Sequence, residues 1–447
     1  MRIAPTPVRH WGRNNLAHHP TRRNHPRRHA ADSHRGAGGL KKAETASPAA
    51  EPLDRGALRT TLGAVHEAGM YGSYSSVREG AERWTGASGI ADVHTGRPVR
   101  PGMRHRVGSI SKTFTAVAVL QQVERGRIRL DASIGEYLPD LVPGERGRDV
   151  TVRMLLNHTS GIGDYVLGAF PSLAVNSAES LDEGRFRSIR PEELVRLGLE
   201  APATGRPGKQ PGSYSNTNYV IAGLLLEKVT GQDAGTYITR HVIDRAGLRA
   251  TSYPRTPYIK GPHSRMYESF HGLIDPPRDY SVYDMSWAST AGAVISTTDD
   301  LNRFYRALLT GGLLGPAALD EMLRTVPVAA GPARIDYGLG IYVLDLPGCG
   351  RFWGHDGAVF GAGTIALSSR DGERQFALGL NLMKYQRLNE DGTALEPSPI
   401  DEAINGHLAE ALCRTPESRE AAADARQLLP RGLPGTDLSS GEWAIRG

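Results

Sequence analysis

Ser109 and Lys112 stand three residues apart in Val107-Gly108-Ser109-Ile110-Ser111-Lys112-Thr113-Phe114. At that spacing on a helix, both side chains leave the same face of the first turn. A serine hydroxyl is a weak nucleophile until a neighbouring base takes its proton. Lysine can be that base when burial or nearby positive charge lowers its pKa, whereas arginine keeps its proton. The chain draws only seven of its 53 basic residues from Lys, and Lys112 is the one with Ser three positions before it. The tetrapeptide also fits a helix-capping Ser followed by a solvated Lys. The apolar neighbours Phe114, Val117, Ala118 and Val123 argue instead that Lys112 is buried.

Two later stretches carry groups that such a pair could use. In Tyr214-Ser215-Asn216, the phenol can shuttle a proton if an ammonium such as Lys112 lowers its pKa. Asn216 can offer its amide to a substrate carbonyl and to Lys112. Gly354-His355-Asp356-Gly357 closes a strand and runs on to Ala358 and Gly361, and glycine there admits a close backbone approach. Read singly, the first is more simply a helix cap and the second more simply an edge strand with a satisfied His.

The elements that must position these groups are legible in outline. A helix is expected from Leu53 to about Ala68, then strands over Tyr71–Val77, Arg83–Asp92 and Arg104–Val107. The Ser109 helix follows, emerging at Gln121, Gln122, Glu124 and Arg125 and ending at Gly126. From Gly126 to about Ser286 the chain changes to short helices and loops, including Thr151–His158, Pro191–Leu199 and a strong helix Val220–Val229 closed by Gly231. Strands return over Ser289–Ser296, Tyr337–Asp345, Arg351–His355, Gly363–Ser369 and Gln375–Leu382. Thr297 and Thr298 cap a helix through Leu309, and an amphipathic helix runs from Ile400 to Cys413. Sheet pieces, a helical insertion, more sheet and a closing helix make an α+β chain.

Composition narrows the function further. Residues 1–42 carry ten Arg and Lys against Asp32 alone, a balance of +9, so the total of +5 leaves about −4 for the rest. Residues 1–50 read as a disordered basic leader, and the acidic remainder offers no basic face for nucleic acid. No stretch approaches the roughly 20 apolar residues of a membrane span. Arg22-Arg23 and Arg27-Arg28 have the look of a twin-arginine signal, yet no apolar segment follows them.

The three motifs, in this order and separation, resemble the serine β-lactamase and penicillin-binding-protein family. The likeness is to secreted D-alanyl-D-alanine carboxypeptidases and class C β-lactamases, and it extends from roughly Leu53 to Cys413. Arg106-Val107-Gly108-Ser109, Leu155-Leu156-Asn157-His158-Thr159-Ser160-Gly161, Tyr214-Ser215-Asn216-Thr217-Asn218, Ser286-Trp287-Ala288 and Tyr337-Gly338-Leu339-Gly340 all look like that family. The resemblance implies a β-lactamase/transpeptidase-like fold, an antiparallel sheet flanked by helices beside an all-helical lobe, with the site in the cleft between them. Residues 51–415 would form this domain, with 51–125 and 287–415 in the sheet lobe, 126–286 in the helical lobe and 416–447 as a flexible tail.

It further implies Ser109 as nucleophile, Lys112 and Tyr214 as the proton-transfer pair, and His355 beside them. The backbone N–H groups of Ser109 and Ala358 would form the oxyanion hole. Asn216, Trp287, Asp356 and Gly357 would contact substrate, and His158 would hold a loop. No metal or organic cofactor is required, and a monomer acting on a small molecule or peptide is expected. Cys349 and Cys413 match positions bridged in the secreted carboxypeptidases, which implies a disulfide and a secreted or cell-envelope location. The lack of a visible signal peptide leaves a cytoplasmic one open.

The chain departs from that pattern at one place. Carboxypeptidases of this type have threonine where Asp356 stands, and an arginine on the preceding strand, here Tyr342-Val343-Leu344. An unpaired carboxylate there repels a substrate carboxylate. Esters, amides, lactams or substrates with a cationic group therefore stand beside carboxypeptidase or β-lactamase action. Related esterases and D-amino-acid amidases or aminopeptidases share the chemistry. A penicillin-binding sensor that acylates without turnover is the third reading.

Overall fold

The computed structural model describes residues 53–175, 177–330, 333–390 and 395–424. The expected leader over 1–50 and the end of the expected tail lie outside these residues. One sheet among the described residues holds ten strands: β1 (Gly72–Glu79), β2 (Glu82–Asp92), β3 (Arg97–Pro98), β4 (Gly212–Ser213), β5 (Val326–Ala330), β6 (Ala333–Tyr337), β7 (Tyr342–Leu346), β8 (Gly350–Val359), β9 (Ala362–Ser369) and β10 (Arg374–Leu380). They lie in the order β3-β2-β1-β10-β9-β8-β7-β6-β5-β4. Every pair is antiparallel except β4 on β5 at the edge, so the sheet is mixed.

Alternating side chains send the central strands into two cores. Ile365, Leu367, Phe376 and Leu378 face one core, which they share with Leu58, Leu62 and Val65 of α1 (Arg55–Glu67). Ala366 and Ala377 face the other, where α2 (Ser111–Glu124) runs. Asp54 starts α1 by accepting from the N–H groups of Gly56 and Ala57, as an N-cap does. Behind α2 lies α3 (Asn216–Thr230), ended by Gly231 at φ +66°. The short α4 (Ser289–Gly292) packs against both, and α5 (Thr298–Leu309) stacks Phe304 on Phe114 with ring centroids 3.8 Å apart. Thr297 caps α5 as expected, and α6 (Pro399–Leu412) returns to pack on α1. Among the described residues, no helix is long and apolar enough to cross a membrane.

Four local expectations are corrected. Ser289–Ser296 forms α4 and then a two-residue strand, because these small residues fit between α2 and α3 rather than in a sheet. Thr290 Oγ1 donates to the Tyr219 carbonyl at 2.7 Å, and a Cβ on Gly223 would lie 2.3 Å from that Oγ1. Tyr337–Asp345 is broken by the Gly338–Ile341 turn into the end of β6 and most of β7. Gln121 and Gln122 do not mark emergence of the helix, for both are buried and donate to the His241 carbonyl and the Tyr237 hydroxyl. Part of the expected tail is α7 (Pro416–Asp424), whose Ser418 and Ala422 are buried beside the Cys349–Cys413 disulfide.

That disulfide ties the approach to β8 to the C-terminus of α6 across 64 residues of sequence. By loop-closure entropy, a bond of this span stabilises the fold by about 4 kcal/mol. Cys349→Ser should lower the urea midpoint in non-reducing buffer, with a somewhat steeper slope because the unfolded chain expands. An unaltered midpoint would show that the loop is already constrained without the bond.

Candidate active site

The turn that carries Ser109 is built by two glycines. Gly108 takes φ +53° and starts a short 3₁₀ turn, Gly108–Ile110, which leads into α2. A Cβ on Gly108 would lie 2.6 Å from the Ala358 nitrogen, and one on Gly357 would lie 2.1 Å from the Val107 carbonyl oxygen and 2.7 Å from the Ser109 nitrogen. The two glycines therefore sit back to back. Their close approach brings together the backbone N–H groups of the residues that follow them, Ser109 and Ala358.

Every residue of α2 from Ser111 to Gln122 is buried, Lys112 included. The Lys112 ammonium donates to Ser109 Oγ at 3.0 Å, Asn216 Oδ1 at 2.7 Å and the Ala291 carbonyl at 3.0 Å. Burial pushes its pKa down to about 7, against the opposing pull of the Asp164 and Asp356 carboxylates. At neutral pH this amine is divided between its charged and its proton-accepting forms.

Tyr214 and Asn216 meet this amine from the start of α3. The Tyr214 phenol faces Ser109 closely enough for that hydroxyl to act on its pKa, but without the geometry of a full hydrogen bond. Burial is the larger influence and raises the phenol well above its ordinary 10. The expected lowering by Lys112 is therefore corrected: Tyr214 is a neutral phenol, and the lysine bears the shift. Lys112 Nζ lies 4.9 Å from the Tyr214 ring centroid, against the electron-rich face. On its other side the ring packs on His158, centroids 4.1 Å apart. His158 Nδ1 accepts from the Ser215 backbone N–H and from Asn218 Nδ2, both at 3.2 Å, which ties its loop to α3 as expected.

Asp164 is the residue that sequence reasoning missed. Its carboxylate accepts from the Asn216 backbone N–H at 2.6 Å, Asn216 Nδ2 at 2.9 Å and the Val166 N–H at 2.9 Å. Fixing the Asn216 amide in this way turns its oxygen towards Lys112. The only local signal was an Asp two residues ahead of a helical turn, a common cap. Nothing in the sequence connected it with Asn216.

β8 supplies the opposite wall. His355 and Asp356 do not end this strand: it continues to Val359, paired with β9 throughout. Its pairing with β7 stops at Gly354↔Tyr342, so the edge from His355 onward faces the cleft. His355 is buried, which lowers its pKa to about 3, and its Nε2 lies 2.8 Å from the Tyr337 hydroxyl. Among the described residues it makes no hydrogen bond to Ser109, Lys112 or Tyr214, and its ring centroid is 6.3 Å from that of Tyr214. Asp356 keeps 17% of its side-chain surface exposed, and burial raises its pKa to about 7.

A narrow recess with room of only about 10 Å³ lies beside Ser109, lined by Tyr165, Val166, Asn216, Trp287 and Ala358 among others. Trp287 both walls this recess and packs in the core, its ring 5.1 Å from that of Phe360. Among the described residues, no group of three or more His, Cys, Asp or Glu is placed to hold a metal ion.

The family model described as Beta-lactamase matches residues 59–395. Penicillin-binding protein 4* of Bacillus subtilis (strain 168) is 27% identical over 328 residues, 69% of this chain and 67% of its own length. Esterase EstB of Burkholderia gladioli is 31% identical over 218 residues, 46% of this chain and 54% of its own. A solved D-stereospecific amidohydrolase from Streptomyces sp. is 37% identical with a TM-score of 0.67, covering 74% of this chain and 95% of that one.

Proposed function

Because the chain belongs to the beta-lactamase family of serine hydrolases, whose penicillin-binding, esterase and amidohydrolase types it resembles, we propose that it cleaves an amide or ester through an acyl-enzyme on Ser109. The observation that carries this reading is the 3.0 Å contact between Ser109 Oγ and a buried Lys112 whose pKa is about 7.

Neutral Lys112 takes the hydroxyl proton as Ser109 Oγ bonds to the substrate carbonyl carbon. The carbonyl electron pair moves onto oxygen, where the N–H groups of Ser109 and Ala358 stabilise the developing charge. Tyr214, as a neutral phenol beside Ser109, relays the proton to the departing nitrogen or oxygen, and the carbon–leaving-group bond breaks. Water then attacks the ester and returns Ser109. Asn216 holds Lys112 in place, and His355 supports the Tyr337 side of the wall.

Amides and esters of D-configured acyl groups are the favoured substrates. The support is the Streptomyces D-stereospecific amidohydrolase, matched over 95% of its length. Carboxypeptidase action is the second reading, supported by the coverage of penicillin-binding protein 4* but opposed by Asp356. The Cys349–Cys413 bond supports work in an oxidising compartment.

Intact-mass spectrometry with D-phenylalanine p-nitrophenyl ester and with a penicillin tests the proposal. An acyl adduct on the parent, absent from Ser109→Ala, is expected with the ester. A penicillin adduct that persists, without turnover of ester or amide, would favour a sensor. No adduct from any probe would sink the acyl-enzyme.

A further inference from the structure

Two carboxylates flank Lys112, and they are treated differently. Asp164 is satisfied by three N–H groups. Asp356 accepts only from its own backbone amide, and no other residue among those described donates to its oxygens. The nearest ring nitrogen, His355 Nδ1, is 3.7 Å away and is engaged with the Asp356 carbonyl. His355 is also uncharged near neutral pH, so it supplies no counter-ion. Lys112 is the cation nearby, but its three donors already serve Ser109, Asn216 and Ala291. Burial, which raises Asp356 to about 7, leaves it near neutral pH divided between acid and anion, partly open to the cleft, two residues before the Ala358 N–H and without a donor from another residue among those described.

A carboxylate kept in a half-dry cleft without a donor is costly unless something else completes it. Its position limits what that can be. It lies on the strand edge left free beyond Gly354, where a substrate passing Ser109 must run. A substrate carboxylate would add like charge, and a neutral group would leave the anion uncompensated.

Resting on the acyl-enzyme reading above, we infer that Asp356 binds an ammonium group of the substrate, so that the enzyme acts on amides and esters bearing a free amino group close to the scissile carbonyl. Asp356 is in this view a specificity residue, and the unblocked amino acid derivative is its ligand class.

The test compares two amides that differ in the ammonium alone: D-phenylalanine amide and 3-phenylpropanamide. The parent is expected to prefer the first in kcat/KM by about 100-fold, as for a buried charge pair that one partner completes. In Asp356→Asn, a near-isosteric change, that ratio should fall to within about fivefold. Equal use of both amides by the parent would overturn the inference without any variant. So would an unchanged ratio in Asp356→Asn with both rates reduced alike, since the carboxylate would then serve the chemistry and not the amine. Acylation of the parent by p-nitrophenyl acetate, followed by mass, reports separately on Ser109. An adduct with no amine preference overturns only the role of Asp356, whereas no adduct overturns the acyl-enzyme reading beneath it.

Discussion

Lys112→Met should lower kcat/KM by about 10²- to 10⁴-fold, the range a positioned general base supplies. Methionine keeps most of the volume in a helix that has no room to spare, so loss of the fold is not the expected cause. The pH profile, repeated in an Asp356→Asn background because burial raises that carboxyl to about 7 as well, identifies the base. Below about 7 the parent Lys112 holds its proton and cannot accept another. The logarithm of kcat/KM should therefore rise with unit slope up to that pH and level off above it. Tyr214→Phe should lower the plateau and leave the limb near 7, because burial holds the phenol well above 10. A limb that moved to high pH in the parent, or that survived unchanged in Lys112→Met, would transfer the role of base to another group.

Gly357→Ala should cost about 10²- to 10³-fold in kcat, with a much smaller change in KM. The added Cβ would meet the Val107 carbonyl oxygen at 2.1 Å and the Ser109 nitrogen at 2.7 Å, both backbone atoms that cannot rotate aside. Relief requires β8 and the Ser109 turn to separate, which moves the Ala358 N–H away from that of Ser109. Loss of one such donor accounts for the expected size. Gly406→Ala, where nothing lies within 4 Å of the new atom, is the matched control for expression and melting. A folded Gly357→Ala variant with undiminished kcat would show that these two N–H groups do not act together.

The stretches holding Ser109 and Lys112, Tyr214 and Asn216, and Gly357 were ambiguous one by one; their order and separation suggested one site, and the structure brings them together. What escaped lies between segments. Asp164 reaches Asn216 across a fold contact, and no local pattern announces it. The direction of the Tyr214 shift was misread for a related reason. Proximity to an ammonium was foreseeable, but the greater effect of burial on the phenol depends on the His158 and Tyr337 rings packed around it. Among the elements, helices with clear caps such as α5 were found closely, while α4 was taken for strand. Its small residues are chosen for the gap between α2 and α3, which only the tertiary structure defines. The strands of the sheet were found in the middle and lost at the ends, where β5 and β6 have little alternation to betray them.

The back-to-back glycines also set a clock on synthesis. Gly108 and its serine leave the ribosome early, whereas Gly357 belongs to the last third of the chain. β1 must likewise wait for β10, with which it pairs from Ser73↔Leu380 to Glu79↔Arg374. Contacts this distant in sequence form late and slowly. A partly made chain thus carries Ser109 and Lys112 before Gly357 and Ala358 exist to face them. The arrangement proposed for catalysis is therefore complete only once the final strands have paired with the beginning.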